Sequence, residues 1–199
     1  MTKRQKRGCV LVFVGIFLIL ASLLLHITQE KQDQIAGKNA HILLQQLKLN
    51  QVSFTQSTHK EVLPEIPVSS VMPEKEYLGY AMIGTLRVPS VGIELPVLSN
   101  WSYELLNVAP CRYSGSIPEE NMILMGHNYK SHFTPLHDVT EGAAVEFENV
   151  DGTVYHYTVD KIEILHKNDG ELLPSAYPLT LFTCTPGGQN RVVIRCLNS

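Results

Sequence analysis

The stretch LTLFTCTPGGQNRVVIRC, from Leu179 to Cys196, places a Pro-Gly-Gly turn between two apolar runs. Both runs alternate side chains between two faces, as strands do, so the stretch predicts a β-hairpin with Thr185 to Asn190 as its loop. Cys184 ends the first strand and Arg191 opens the second, and we expect the two to be neighbours across the hairpin. The hairpin alone leaves three interpretations of Cys184 open: a buried core thiol, half of a disulfide or a nucleophile.

Short segments of the same kind recur from Tyr77 onward, rich in Val, Ile, Tyr, Phe and Thr and separated by Gly and Pro turns. Before the hairpin they read YAMIGTLRV, IELPVL, NMILMGH, AAVEFEN and TVYHYTVDKIEIL. Many short strands with little helix predict a barrel or a sandwich, and closure is favoured because it leaves no exposed sheet edge. One helical turn is expected in WSYELLNVAP, with Ser99 or Asn100 as its cap.

The N-terminus predicts a membrane anchor. Residues 1–7 hold four basic side chains, and residues 8–27 form an apolar run without Lys, Arg, Asp or Glu. A helix of about 20 residues spans the hydrocarbon layer, and the basic flank stays in the cytoplasm. A cleaved signal peptide is the alternative, which the length of the run and the lack of a small-residue cleavage site disfavour.

The segment between the anchor and the strands is polar. Residues 28–72 are expected to form an extracellular stalk, and residues 73–199 the folded catalytic domain. In the stalk, AHILLQQLKL is compatible with a short amphipathic helix, whereas QVSFTQSTHKEVLPEIPVSS has the composition of a linker. The apolar stripe of that helix is expected at Ile42, Leu43, Leu47 and Leu49. A formal charge of -3 gives no basic excess, so no nucleic-acid partner is expected.

A candidate proton donor and acceptor comes earlier in the chain. In NMILMGHNYKSHF an apolar strand ends at Gly126-His127-Asn128. A histidine within reach of Cys184 would transfer the protons of an acyl transfer, and a guanidinium near the sulfur would favour the thiolate and stabilise an oxyanion. Arg191 is preferred to Arg195 as this cation because it lies nearer the turn.

This order of features resembles the sortase family of Gram-positive bacteria: an N-terminal anchor, then NMILMGHN, TLFTC and RVVIRC. The resemblance extends from about Gly79 to Arg195, and the TLxTC motif that ends at Cys184 is its most specific part. It implies a mostly β protein, a closed eight-stranded barrel with short helices after a transmembrane helix. It also implies a cysteine transpeptidase that cleaves a C-terminal LPxTG-type sorting motif, holds the protein as a thioester and passes it to an amine.

The resemblance also implies roles and partners. Cys184 would be the nucleophile, His127 the general acid and base, and Arg191 the residue that binds the substrate backbone and stabilises the oxyanion. Asn128 and Thr183 adjoin them and are candidates for substrate binding. The partners would be secreted proteins with a C-terminal sorting signal and an amine from a peptidoglycan precursor or a pilin lysine. The protein would cross the cell membrane once, with its catalytic domain outside the cell.

The subclass is open at this point. The interval between His127 and Cys184 is short for the helix-bearing insertion of class B, so a class D-like or A-like enzyme is favoured. The stalk contains no lid-like segment of the kind found in many class C enzymes, which makes pilus assembly less expected.

No cofactor is expected. His132 and His137 follow His127 at five-residue intervals, match no zinc signature and are interpreted as loop histidines. Calcium is the metal alternative, although scattered carboxylates in turns are usually solvated. Its candidate ligands are Glu119, Glu120, Glu141, Glu146 and Glu148. Cys111 and Cys196 are expected to be unpaired core residues rather than a disulfide.

Other functions remain as alternatives. An L,D-transpeptidase would have glycine where Thr183 precedes Cys184, and a papain-like peptidase would have its cysteine before its histidine, so both are disfavoured. From a different class, a non-catalytic membrane-anchored β-barrel that binds a partner at the surface would carry Cys184 as an incidental thiol.

Overall fold

The fold is that of a computed structural model, which describes residues 3–55, 72–168 and 176–199. Most of the predicted linker, residues 56–71, and the loop tip at residues 169–175 lie outside the described residues. The described helices are α1 (Lys3–Thr55) and α2 (Tyr103–Leu106), with 3-10 turns at Pro89–Val91 and Thr134–Asp138. The described strands are β1 (Lys75–Tyr77), β2 (Tyr80–Val88), β3 (Ile93–Leu98), β4 (Cys111–Ser114), β5 (Met122–Met125), β6 (Ala144–Asn149), β7 (Val154–His166), β8 (Leu179–Cys184) and β9 (Asn190–Asn198).

Eight of these strands close into a barrel. Hydrogen-bonded neighbours follow the order β2-β3-β4-β5-β8-β9-β7-β6, and β6 pairs back onto β2. The β3–β4 and β5–β8 pairs are parallel, and the other pairs are antiparallel. The short strand β1 adds to the first residues of β2. The closed eight-stranded barrel expected from the sequence is confirmed, and closure leaves its strands without free edges.

Alternate residues along the strands fill the barrel. In β8 and β9 the inward positions include Leu181 and Ile194, both fully buried in the main core. Their neighbours Phe182 and Val193 point away from the barrel interior and form a second apolar cluster with Ile123, in which all three side chains are buried. Because side chains alternate along a strand, Cys184 shares the outward face with Phe182.

The sequence reading missed strand β4. Its residues pair with β5, and one bridge between Leu98 and Cys111 joins it to β3. Only Cys111 of the four residues is fully buried, so the segment lacks an apolar alternation. The strand exists because its neighbours supply hydrogen-bond partners, which local sequence does not reveal.

Helix α2 was expected, but its cap was assigned to the wrong residue. Ser102 is the N-cap, with Oγ accepting a hydrogen bond from the Leu105 N–H at 3.1 Å. Ser99, one of the expected caps, is buried instead, and its carbonyl accepts a hydrogen bond from Arg112 Nε at 2.9 Å.

Helix α1 runs through the predicted anchor and well into the predicted stalk. It contains one stretch long and apolar enough to cross a membrane, near the N-terminus. Further along, five side chains of one helix face are buried, Ala36, Ala40, Leu43, Leu44 and Leu47. The expected stripe is therefore right for Leu43 and Leu47 and wrong for Ile42 and Leu49, which are 48% and 63% exposed. The domain boundaries at residues 7, 27 and 72 stay a prediction.

Candidate active site

Cys184 is the last residue of β8 and lies opposite Arg191 in β9. The antiparallel register pairs these two residues, and the turn between them is closed by a 3.0 Å hydrogen bond from Thr185 N to Asn190 O. Directly opposed side chains on one face have Cβ atoms about 5 Å apart. Both side chains are partly exposed, so a substrate can reach both at this end of the hairpin.

The two arginines of β9 have different surroundings. Arg191 Nη1 donates to the carbonyls of Gly188 and Asn190, each at 3.1 Å, and the guanidinium carries further donors on Nε and Nη2. Arg195 lies opposite Thr180, is 6% exposed, and donates to Thr180 Oγ1 at 3.2 Å and Glu163 Oε2 at 3.0 Å. Arg191, rather than Arg195, therefore stands beside Cys184.

His127 follows β5, which pairs with β8 on the side away from β9. Strand β5 runs parallel to β8 with Met125 opposite Phe182, and Gly126 N donates to Phe182 O at 3.2 Å. If this register is continued two residues past Met125, His127 lies level with Cys184. Because β8 lies between β5 and β9, Cys184 is flanked by His127 and Arg191.

Two predicted substrate-binding residues hold the strand end that carries His127. Thr183 is buried, and its Oγ1 donates to the Gly126 carbonyl at 2.9 Å. Asn128 Oδ1 accepts a hydrogen bond from Thr134 Oγ1 at 2.8 Å, within the loop after β5. These bonds give both residues a structural role, and direct contact with a substrate stays a prediction for them.

The surroundings of His127 set its protonation. Its ring packs against Tyr129 with centroids 4.7 Å apart, and its carbonyl accepts a hydrogen bond from Phe133 N at 3.2 Å. Partial burial lowers the pKa of His127 from its usual 6.5, because desolvation disfavours the charged ring. At neutral pH the imidazole is therefore mainly neutral, and the imidazolium is a minor species.

The other described cysteines have the character of core residues. Cys111 and Cys196 are fully buried in two different apolar clusters, and Cys111, Cys184 and Cys196 are free thiols. Burial raises the pKa of Cys111 and of Cys196 to about 12, so both stay protonated. Cys184 is the partly exposed thiol of the three.

The glutamates considered for calcium do not gather. Glu148 pairs with Arg87 at 2.7 Å, and Glu146 lies 3.7 Å from His156. Within the described ranges, no three His, Cys, Asp or Glu side chains lie close enough together to hold a metal ion. The expectation that no cofactor is needed stays a prediction.

An aromatic surface lies on the same side of the barrel, and the sequence reading did not identify it. Tyr113 packs edge-on against Phe182 at 5.4 Å, and Trp101 lies 5.4 Å from Tyr113. Trp101 and Tyr113 also line a cleft of about 600 Å³ with Ser99, Asn100 and Arg112 among its other residues. The missed signal was a pair of aromatic residues around the unrecognised strand β4.

His132 is buried, although the sequence suggested a loop histidine. It is 1% exposed, and neither ring nitrogen has a hydrogen-bond partner within the described residues. Desolvation is the main cause that lowers the pKa of His132 to about 4, with a small opposing contribution from the backbone of Ala36 in α1. His132 therefore stays neutral in the folded protein at neutral pH.

We expect this burial to make stability depend on pH. Between pH 6.5 and about 4, an unfolded chain protonates His132 while the folded protein does not, so protons favour unfolding and the stability falls as the pH falls. The loss should reach about 3 kcal/mol across the window. Urea unfolding of the full chain in detergent between pH 7 and pH 4 measures it. His132→Leu should flatten the dependence and His137→Leu should not; equal slopes in all three proteins would contradict the expectation.

The comparisons with known proteins agree with this architecture. A family model described as a sortase domain matches residues 86–198. The fold is similar to that of sortase C1 from Streptococcus agalactiae, with a TM-score of 0.53, 24% identity, and coverage of 59% of this chain and 67% of that one. Sortase C1 from Streptococcus suis gives 0.53 and 24%, with coverage of 59% and 73%.

A third structure matches over a longer part of the chain. The sortase D5 transpeptidase of Clostridium perfringens has a TM-score of 0.57 and 14% identity, and the match covers 83% of this chain and 99% of that one. At these identities the three structures show a shared fold alone, and the subclass stays a prediction. No curated protein matches the sequence.

Proposed function

The chain belongs to the sortase family of cysteine transpeptidases, and on that premise we propose that it cleaves an LPxTG-type sorting motif and joins the cleaved protein to an amine. The donor is a secreted protein with a C-terminal sorting signal. The acceptor is an amine of a peptidoglycan precursor or a pilin lysine. Residues 8–27 anchor the enzyme in the cell membrane, with the barrel outside the cell. This proposal is supported by the sheet register, which pairs Cys184 with Arg191 and puts β5, the strand before His127, on the other side of β8.

Acylation begins at the sulfur. The Cys184 thiolate attacks the carbonyl carbon of the scissile peptide bond, and negative charge develops on the carbonyl oxygen. Arg191 donates hydrogen bonds to this oxygen. The carbon–nitrogen bond then breaks, and the departing amine takes a proton from the His127 imidazolium. The products of this step are a thioester on Cys184 and a neutral His127.

Deacylation reverses the proton transfer. The incoming amine attacks the thioester carbon and gives a proton to neutral His127. The carbon–sulfur bond breaks, Cys184 leaves as the thiolate, and a new amide is formed. His127 thus ends the cycle protonated, as it began, and no external proton donor is consumed.

The apolar surface beside Cys184 suits an extended peptide. Phe182 and Val193 lie on the outward face of their strands but are buried, and the partly exposed Tyr113 packs against Phe182. The accessible apolar area here is that of Tyr113, which is partly exposed, and of Trp101, which is 40% exposed, and we propose that it covers apolar side chains of the sorting motif. We propose that the segment from Lys161 to Pro178 walls the peptide groove; β7 continues to His166, so the first residues of this segment are strand. The role of the remainder stays a prediction.

The test uses the full chain in detergent micelles with an LPxTG-type peptide and a panel of amines. We expect a new amide product and a thioester adduct on Cys184 by mass spectrometry. The alternative is a non-catalytic binding module. It would give no product with any amine, and an electrophilic probe would label Cys184 no faster than a thiol in an unfolded chain.

Arg191 and Arg195 offer a matched pair of variants. Arg191→Met should lower kcat by about 10²–10³-fold, because it removes an oxyanion donor, and should leave stability nearly unchanged. Arg195→Met should keep kcat and lower the free energy of unfolding by about 2 kcal/mol, since it breaks a partly buried pair with Glu163. Steady-state kinetics and urea unfolding separate the two effects. A loss of kcat in Arg195→Met alone would contradict the assignment.

A further inference from the structure

Helix α1 touches the loop that follows His127. The Asp33 carboxylate accepts hydrogen bonds from the backbone N–H of Lys130 at 3.2 Å and of Ser131 at 3.0 Å. Ser131 Oγ also donates to the same carboxylate and to the Asp33 carbonyl, the latter at 3.0 Å. One acidic side chain of the helix therefore holds two successive amides and a hydroxyl of this loop. Hydrogen bonds to a charged acceptor are about twice as strong as neutral ones.

The contact depends on a close approach between the helix and the loop. At Gly37, one turn after Asp33, an added Cβ would lie 2.8 Å from Ser131 Cβ. Ala36 and Ala40, on either side of Gly37, are almost fully buried. Leu43 and Leu47 continue this face into an apolar cluster that includes residues of β2 and β3. The helix is thus docked over several turns, and Asp33 lies at the end of this face nearest the anchor.

The loop that Asp33 holds is short and tied to His127 at several points. Phe133 N donates to the His127 carbonyl at 3.2 Å, and Thr134 N and His132 N both donate to the Tyr129 carbonyl at 3.0 Å. The Tyr129 ring packs on the His127 ring and its hydroxyl donates to Asn107 Oδ1 at 3.1 Å. A shift of Ser131 therefore moves the backbone and the aromatic ring that hold the imidazole.

We propose that Asp33 is a positioning residue for His127, and that the membrane-proximal helix is for this reason part of the active site. The inference rests on the proposed function, since it concerns the alignment of His127 for proton transfer at Cys184. Asp33 acts through Ser131 and touches no substrate. It lies six residues beyond the predicted anchor, about 9 Å along a continuous helix, so the anchor and the His127 loop are joined by a rigid element.

The kinetic test compares variants of the full chain in detergent micelles. Asp33→Ala should lower kcat at least about tenfold with KM changed less than about twofold, because misplacement of a proton-transfer group by a fraction of an ångström costs rate rather than binding. Asp33→Asn keeps one acceptor oxygen without the charge, so its kcat should lie between those of Asp33→Ala and the wild type. Lys38→Ala, an exposed change on the same helix, is the control and should leave both constants unchanged.

Two further readouts separate positioning from a loss of stability. In Asp33→Ala the amides of Lys130 and Ser131 should exchange hydrogen at least about tenfold faster, while amides of β8 and β9 keep their rates. The acid limb of kcat/KM should move up toward pH 6.5, because a loosened loop exposes His127 and relieves its desolvation. A double variant with Ser131→Ala should lose no more kcat than Asp33→Ala, since both changes break one contact.

The outcomes distinguish this inference from the proposed function. A wild-type chain without turnover on any peptide and amine overturns both. A wild-type chain that turns over, with Asp33→Ala retaining its kcat, acid limb and slow amide exchange, overturns the inference alone. Where Asp33→Ala fails to fold, Asp33→Asn and Ser131→Ala decide the question by the same measurements.

Discussion

Replacing Cys184 by alanine should abolish amide formation and lower kcat/KM at least about 10⁴-fold. The reason is covalent: without the sulfur no thioester forms, and the carbonyl of the sorting motif has no nucleophile beside it. Arg191, which lies opposite residue 184 in the register, would remain to bind the peptide. The dissociation constant of the peptide should therefore change little. Mass spectrometry of the amide product and of the acyl-enzyme measures both effects.

The two buried thiols of the barrel, Cys111 and Cys196, supply the control for this prediction. Cys111→Ala and Cys196→Ala should keep kcat, because burial raises the pKa of each of these thiols to about 12 and leaves it protonated. Alkylation of the wild type with iodoacetamide should modify Cys184 before Cys111 or Cys196. Turnover in Cys184→Ala, or equal labelling of the three thiols, would contradict the assignment of the nucleophile.

The second large effect is expected at His127. His127→Gln keeps a polar side chain of similar size but removes the group that titrates, so kcat should fall by about 10³-fold through loss of both proton transfers. Folding should persist, because the Phe133 N–H bonds the backbone carbonyl of His127 and not its ring. Thioester formation and amine transfer, followed separately by single-turnover kinetics, should both be slowed.

The pH profile tests the same residue independently. Because burial lowers the pKa of His127 below 6.5, the acid limb of kcat/KM in the wild type should fall below pH 6.5. His137→Gln, an exposed histidine in the neighbouring 3-10 turn, should leave kcat and this limb unchanged. An acid limb above pH 6.5, or full activity in His127→Gln, would exclude His127 as the proton-transfer group.

Most of the barrel was predictable because its long strands carry their own pattern. The segments that became β2, β3, β6, β8 and β9 alternate or fill with apolar residues, and their turns contain Gly and Pro. Strand β4 was not predictable, since it is held by one bridge to β3 and by pairing with β5. Which residues of β8 and β9 share a face was predictable, because a hairpin fixes its own register.

The docking of helix α1 was predictable from the sequence only in part. Leu43 and Leu47 were expected to share an apolar stripe, and both are buried. Ala36 and Gly37 gave no signal, because small residues in a polar segment look like a linker until a neighbour approaches them closely. Likewise nothing in the sequence around Asp33 indicates its partner, since Ser131 is 98 residues away.

The sequence by itself determined the chemical groups and their local settings: an apolar N-terminal run, a cysteine at the end of a strand, an arginine across a tight turn and a histidine after an earlier strand. Tertiary structure alone decided that the strand before His127 pairs with the strand that ends at Cys184, that Arg195 forms an ion pair with Glu163, and that Asp33 contacts the loop after His127. The physical reason is the distance along the chain between the residues that specify each contact. A hairpin is specified by neighbouring residues, whereas the parallel pairing of β5 with β8 and the docking of a helix depend on how the whole barrel closes.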